Sequence, residues 1–193
     1  MTRFLPARIL AAAILLAVVL VALVIHESRA RAAGQEVRLP MEAVDPRSLL
    51  GGHYVALQLT QAMDPGQPCP PGLPEGRKPG WIGLVRTPTG ELVGGVGATR
   101  ALALTHGAIA LRGGVDCYAS PASGEFPGRL TLKIGVDRFH ADQKQAQALD
   151  AALRDRKPNT PDQAFAVVSV GQDGKARLKG VIVGGRRADL TWN

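Results

Sequence analysis

The pattern of apolar and polar positions divides the chain into two unequal parts. From Ile9 to Ile25 every residue is apolar, with no charge, Gly or Pro, and Phe4 and Leu5 can extend the run. About 17 such residues is at the short end for a helix that crosses a bilayer and longer than the usual apolar core of a cleavable signal peptide. A run apolar all the way round has no face to turn to water, so it does not read as the helix of a soluble core. Residues 1–33 therefore read as a membrane anchor with its juxtamembrane segment, in contact with the lipid bilayer through residues 9–25. The A-x-A sequence Ala30-Arg31-Ala32 supports the alternative, removal by signal peptidase, although Glu27, Arg29 and Arg31 make that region unusually charged for a cleavage site. Basic residues flank the run on both sides, so charge does not set its orientation.

Beyond it the period switches to two. Gln35–Leu39 reads as a short strand. Asp45 is a natural N-cap and Pro46 suits a first helical position, so Arg47–Leu50 reads as one helical turn closed by Gly51-Gly52. His53–Thr60 then alternates as one strand, with His53, Val55, Leu57 and Leu59 on one face and Tyr54, Ala56, Gln58 and Thr60 on the other. The prolines and glycines of Asp64–Gly80 exclude helix and interior strand and predict a long surface loop. Trp81–Thr87 and Glu91–Val96 flank Pro88-Thr89-Gly90 as a hairpin. Two short apolar runs, Ala101–Leu104 and Ala108–Arg112, follow, the second broken by Gly113-Gly114. Leu130–Val136 is a further strand.

The only clear helix of this part is Asp142–Lys157, with Ala146, Leu149 and Leu153 as a narrow apolar stripe and Pro158 as its stop. A closing hairpin joins Ala164–Val170 to Lys175–Val183 through Asp173-Gly174. The glycine pairs at 51, 94, 113 and 184 read as strand ends and bends. Strands outnumber helices and no βαβ alternation appears. The expected fold is mostly β, an antiparallel sheet or barrel-like domain over 34–193 with one surface helix at about 142–157, preceded by a single N-terminal transmembrane helix.

Composition changes this picture little. The net charge of +7 is spread along the chain, with Lys and Arg clustering no further than pairs, and aromatics make up 4% of the residues. That argues against a nucleic-acid stacking platform. The excess suits a domain near an anionic membrane surface, and ordinary solvated surface explains it more simply. Cys69 and Cys117 are the only cysteines. An even count in an exported domain reads as one disulfide, and two unrelated buried thiols are the other reading. Neither has a CxxC partner, and His53, His106 and His140 are scattered, so no metal and no cofactor are assigned.

The order of these features is the most specific signal. A single anchor is followed by Asp45-Pro46-Arg47, then by Gly52, Tyr54 and Leu57 in a G-x-Y-x-x-L pattern, then by Val136-Asp137-Arg138-Phe139 and a hairpin with D-G. This order resembles the GDYXXLXY family, membrane-anchored bacterial proteins of uncharacterised function. The sequence departs from the family at His53, where the family has Asp, and at Leu59, where it has the second Tyr. Those departures favour a structural role for the motif. The resemblance implies association with polytopic membrane proteins.

Enzymatic readings find little support. G-G-H-Y lacks the spacing and the Lys of a phosphate loop, and it is not a G-x-S-x-G elbow. A signal-peptidase-like hydrolase would need Ser48 beside a Lys, with Lys133 the one candidate base. The expectation is a non-enzymatic accessory protein of the bacterial inner membrane, single-pass, with its C-terminal domain in the periplasm and in contact with another membrane protein. Arg47, His53 and Tyr54 are its candidate contact residues, as a polar and aromatic strand entry taken to lie next to the anchor. The alternative is a metal- or small-ligand-binding envelope module in which the three histidines converge.

Overall fold

The computed structural model describes residues 5–43, 54–73, 80–124, 126–136, 138–140 and 164–190. The apolar run forms α1, Leu5–Ala33, 29 residues with no internal break. At 1.5 Å per residue it is about 43 Å long. Its Ile, Leu and Val side chains are exposed from Ile9 to Ile25. It is thus long and apolar enough to cross a membrane, a test that an anchor and a signal sequence both pass.

Helix gives way to strand at a single residue, Gly34. A Cβ there would overlap the Ser169 hydroxyl, so only glycine lets α1 turn this closely into β1, Gln35–Ala43. The remaining elements are β2 Tyr54–Gln58, β3 Thr60–Met63, β4 Gly80–Thr87, β5 Gly90–Gly97, α2 Arg100–Leu104, β6 Ile109–Tyr118, β7 Gly128–Lys133, β8 Arg138–His140, β9 Ala164–Val170, β10 Ala176–Val183 and β11 Arg186–Asp189.

The strands form two antiparallel sheets, of order β11-β10-β9-β1-β2-β8 and β3-β7-β6-β4-β5. The second curls into a half-barrel. Its two edge strands come within side-chain reach, where Gln61 Oε1 on β3 accepts from Val93 N on β5 at 3.0 Å. Glu91 on β5 ties this sheet to the first, accepting from Arg38 N at 2.6 Å. Alternate residues of facing strands meet in one core: Val37, Leu39 and Met41 of β1, Leu57 and Leu59, Ile82 and Leu84, Leu111, Leu130, Ala166 and Val168. The fold class expected from the alternation is the one present.

Several elements differ from expectation, each for a physical reason. The run His53–Thr60 is two strands, not one. At Leu59 the chain leaves the first sheet for the second, its carbonyl accepting from Leu132 N at 2.9 Å. Leu57 and Leu59 are buried as expected, and Thr60, expected on the outer face, is buried as well because the strand changes sheet beneath it. The first apolar run, 101–104, is helical: Thr99 caps α2, its side chain accepting from Leu102 N.

Gly113-Gly114 does not break β6. It is the handover at which β6 stops pairing with β4 and begins pairing with β7. Gly94-Gly95 lie in the middle of β5, not at an end. The carbonyl and ring of His106 lie against them, so the glycines form a floor on which the turn after α2 rests. The strand expected over 130–136 ends at Lys133, with Gly135 at φ 75°, and resumes as β8 paired to β2. β11 is an additional edge strand, whose exposed Arg186, Arg187 and Asp189 discourage further pairing. The helix expected over 142–157 lies outside the described residues.

Candidate functional site

The outer face of the first sheet, where the end of α1 comes down on it, holds the densest set of polar contacts among the described residues. Glu36 alternates with the core residues of β1 and so points outward. Ser169 lies opposite it on β9, and Arg177 lies opposite Ser169 on β10. These three positions form one row across the sheet.

Arg177 is the centre of this row. Its side chain is only 7% exposed. A guanidinium removed from water to that degree must have its N–H groups answered by protein. Nε donates to Glu27 of α1 at 2.7 Å, while the two terminal nitrogens donate to the two oxygens of Asp173 at 3.2 and 3.1 Å. The fork-on-carboxylate geometry is bidentate, the arrangement for which guanidinium is shaped. The hydrogen bonds from Arg177 hold the Asp173 carboxyl below its ordinary range and, in return, raise the guanidinium further.

A second cluster lies beside it. Glu36 accepts from Arg187 Nη1 at 2.8 Å and from Lys179 Nζ at 2.9 Å. These contacts, Arg187 first and then Lys179, lower its pKa to about 2. Together the two clusters join α1, β1, β10 and β11 through side chains alone.

Between the end of α1 and α2 runs a cleft of about 230 Å³ walled by Gly34, Arg100, Leu104, Ile109 and Gly171. It is smaller than most small-molecule pockets, which run from about 300 to 1,000 Å³. Its walls place α2 and the β9–β10 turn beside the end of α1.

The residues singled out in the sequence fall elsewhere. Asp45, Pro46, Arg47, Ser48, Gly52 and His53 lie outside the described residues. Tyr54 opens β2, and its backbone pairs with His140 on β8. The register of β1 with β2 matches Ala43 to Leu57, so Tyr54 lies past the end of β1 that is remote from α1. The strand entry at Tyr54 is therefore not next to α1. It stands at the opposite end of a nine-residue strand, on the order of 30 Å away. Leu57 of the motif is a core residue.

His106 sits over β4 and β5 in one sheet and His140 on β8 in the other, so the topology does not gather them. Among the described residues no group of three or more His, Cys, Asp or Glu side chains is placed to hold a metal ion. Lys133 pairs with Asp116 across the β6–β7 ribbon.

Cys69 and Cys117 are bonded to each other, with Cα atoms 6.0 Å apart. The bond pins the proline-rich loop to β6. The same loop covers the free edge of β5, where Val96 N donates to Pro71 O at 2.9 Å.

The Arg177 and Glu36 clusters were not found by reading the sequence. Their only trace is the alternation of Arg177 and Lys179 in K-A-R-L-K, and nothing local says that Glu27, 150 positions away, is a partner.

No curated protein and no solved structure matches the chain. The anchor-like helix joined to a two-sheet β domain, with Leu57 of the motif in its core, agrees with a match to the GDYXXLXY protein family over residues 16–181, most of the chain, and the protein belongs to that family.

Proposed function

We propose that this chain is a membrane-anchored accessory protein whose β domain, outside the cytoplasm, contacts another membrane protein. The observation that carries this reading is the junction of α1 with the sheet. A single glycine separates them, and Arg177 holds Glu27 from the sheet side. A domain that worked on soluble substrates would gain from a tether. This one is held without a tether at one height and one angle above the helix, which suits lateral contact with a neighbour in the same bilayer. The disulfide supports an exported location, because such bonds persist in oxidising compartments.

In this reading α1 stays uncleaved, the amino terminus is cytoplasmic, and the domain is periplasmic. Arg47, His53 and Tyr54 remain the candidate contact residues; Tyr54, the one of them described, stands at the end of the sheet remote from α1 and would meet a part of the partner that projects from the membrane. No catalytic role is assigned.

Two measurements test it. Alkaline phosphatase fused after Asn193 should be active and the chain should keep its full-length mass in the membrane fraction; a fluorescent cytoplasmic reporter there would overturn the topology. Photo-crosslinking residues placed in living cells at Arg47, His53 and Tyr54 should each join the chain to the same integral membrane protein. Adducts with soluble proteins only, or none from any of the three positions, would overturn the partner.

A further inference from the structure

We infer that the β9–β10 turn and the strand segment beside it form a binding surface for anionic phospholipid headgroups, with Arg112 and Lys175 as its principal cations. The inference rests on α1 remaining in the membrane, and it is independent of any protein partner.

The first step is position. Glu27 lies two residues past Ile25, the last residue of the apolar run, which is a rise of about 3 Å along a helix. It is therefore at the border between hydrocarbon and headgroups. Arg177 touches Glu27, and Asp173 of the β9–β10 turn touches Arg177. Through two direct contacts the turn is brought to the level of the headgroup layer. The apolar run itself, at 1.5 Å per residue, covers about 25 Å of a hydrocarbon core near 30 Å. A span shorter than the core draws its flanking residues toward the interface, which seats the domain lower.

The second step is charge. Lys175 follows the turn and is exposed; its ammonium bears on Asp173 through space. Arg112 N donates to Gly174 O at 2.7 Å, which fixes β6 against the turn. Its exposed guanidinium lies over the Trp81 ring, 5.0 Å from the centroid. A Cβ at Gly174 would overlap the same ring, so turn, tryptophan and arginine form one packed unit. An amphipathic ring capped by a cation is the kind of group that settles at a bilayer interface. Arg100 at the start of α2, exposed and lining the cleft with Gly171 and Gln172 of the turn, extends the same positive face. The carboxylates nearby, Glu27 and Asp173, share the single charge of Arg177, which leaves one negative charge; Arg112, Lys175 and Arg100 outnumber it, so the face stays positive. Leu102 and Leu104 of α2, 47% and 40% exposed, add apolar side chains beside the cleft.

The test uses the full chain in nanodiscs of phosphatidylcholine alone and in discs with about one phosphatidylglycerol in three, read by amide hydrogen exchange. Exchange over 171–175 should be slower in the anionic discs by roughly fivefold or more, the effect of about one surface cation meeting anionic lipid. The difference should vanish at about 0.5 M salt, where screening is short-ranged. R112Q/K175Q should exchange at the phosphatidylcholine rate in both discs, while its β9 amides, which report the fold, exchange as in the wild type. Equal exchange in the two discs overturns the proposal, and so does a lipid-dependent difference that survives in the double variant. A full-length chain that does not co-elute with the disc overturns the anchor reading and this proposal with it.

Discussion

Arg177, on the tenth strand of the fold, reaches across to Glu27 on the N-terminal helix at 2.7 Å while gripping Asp173 with the other end of its guanidinium. This one buried cation sets how the helix stands on the sheet. R177Q should leave both carboxylates without their partner and cost about 1–3 kcal/mol of stability, the usual loss for a charged hydrogen-bonding group. Half-exposed Glu27 and Asp173 can rehydrate, which keeps the loss within that range. Urea unfolding of the full chain in detergent measures it. A double-mutant cycle with E27Q isolates the pair, and a coupling energy of zero would show that the contact does not hold the helix.

Glu36 gives a pH signature. Its folded pKa, about 2, lies below the ordinary 4.5 because Arg187 and Lys179 hydrogen-bond the ionised form. Between those values the unfolded chain binds more protons than the folded one, so stability rises with pH across the window. The contribution is fully present above about pH 5, falls as pH drops from 4.5, and is gone below about 2. About a third of the side chain remains exposed, so solvent screening limits the effect to about 1 kcal/mol. The stability gap between wild type and E36Q should shrink over that window; a gap constant with pH would contradict the pairing.

Closing a loop between Cys69 and Cys117, 48 positions apart, constrains the unfolded chain by up to about 4 kcal/mol in the chain-entropy picture. The proline-rich loop is stiff before it is closed, so the measured loss in C69S/C117S should fall below that figure. Protein from the envelope should show no titratable thiol before reduction.

Leu57→Ala should destabilise the domain by about 2–5 kcal/mol, as truncation of a core leucine does. Arg47→Ala and His53→Ala should leave the unfolding midpoint near that of the wild type and act on partner crosslinking instead. If either abolished the fold, the contact role assigned to it would fail.

Gly95→Ala tests the glycine floor under His106. The added Cβ would meet the imidazole ring, which must move and carry the turn after α2 with it. A loss of about 1–3 kcal/mol, the range for overpacking, is expected in thermal unfolding. An unchanged midpoint would show that the ring gives way at no cost.

What the sequence made legible was local. Period-two alternation located β1, the β4–β5 hairpin, β9 and β10, because each buries one face or is bounded by turn chemistry that needs only neighbours. The disulfide was readable from an even count of cysteines in a domain expected to be exported. Glycine misled in two ways. At Gly94-Gly95 and Gly113-Gly114 it marks close approach of backbone from elsewhere in the fold, and a close approach looks in sequence like a break. The split at Leu59 had the same origin, since a strand that changes sheets keeps its alternation and hides the crossing. Tyr54 was misplaced relative to the anchor because β1 continues through Pro40 to Ala43, carrying the next strand to the remote end. The Arg177 cluster was illegible altogether, for its partners meet only after the sheet has formed.

The single residue between α1 and β1 has one more consequence. With the helix in a bilayer, the domain has no tether with which to sweep out a volume of solution. Its encounters reduce to sliding in two dimensions and turning about the helix axis, and any rotation of the helix among its neighbours turns the domain by the same angle. Lengthening the junction by a few flexible residues would leave fold and helix intact while unlocking that angle, and any neighbour in the bilayer would then meet every face of the domain in turn instead of one.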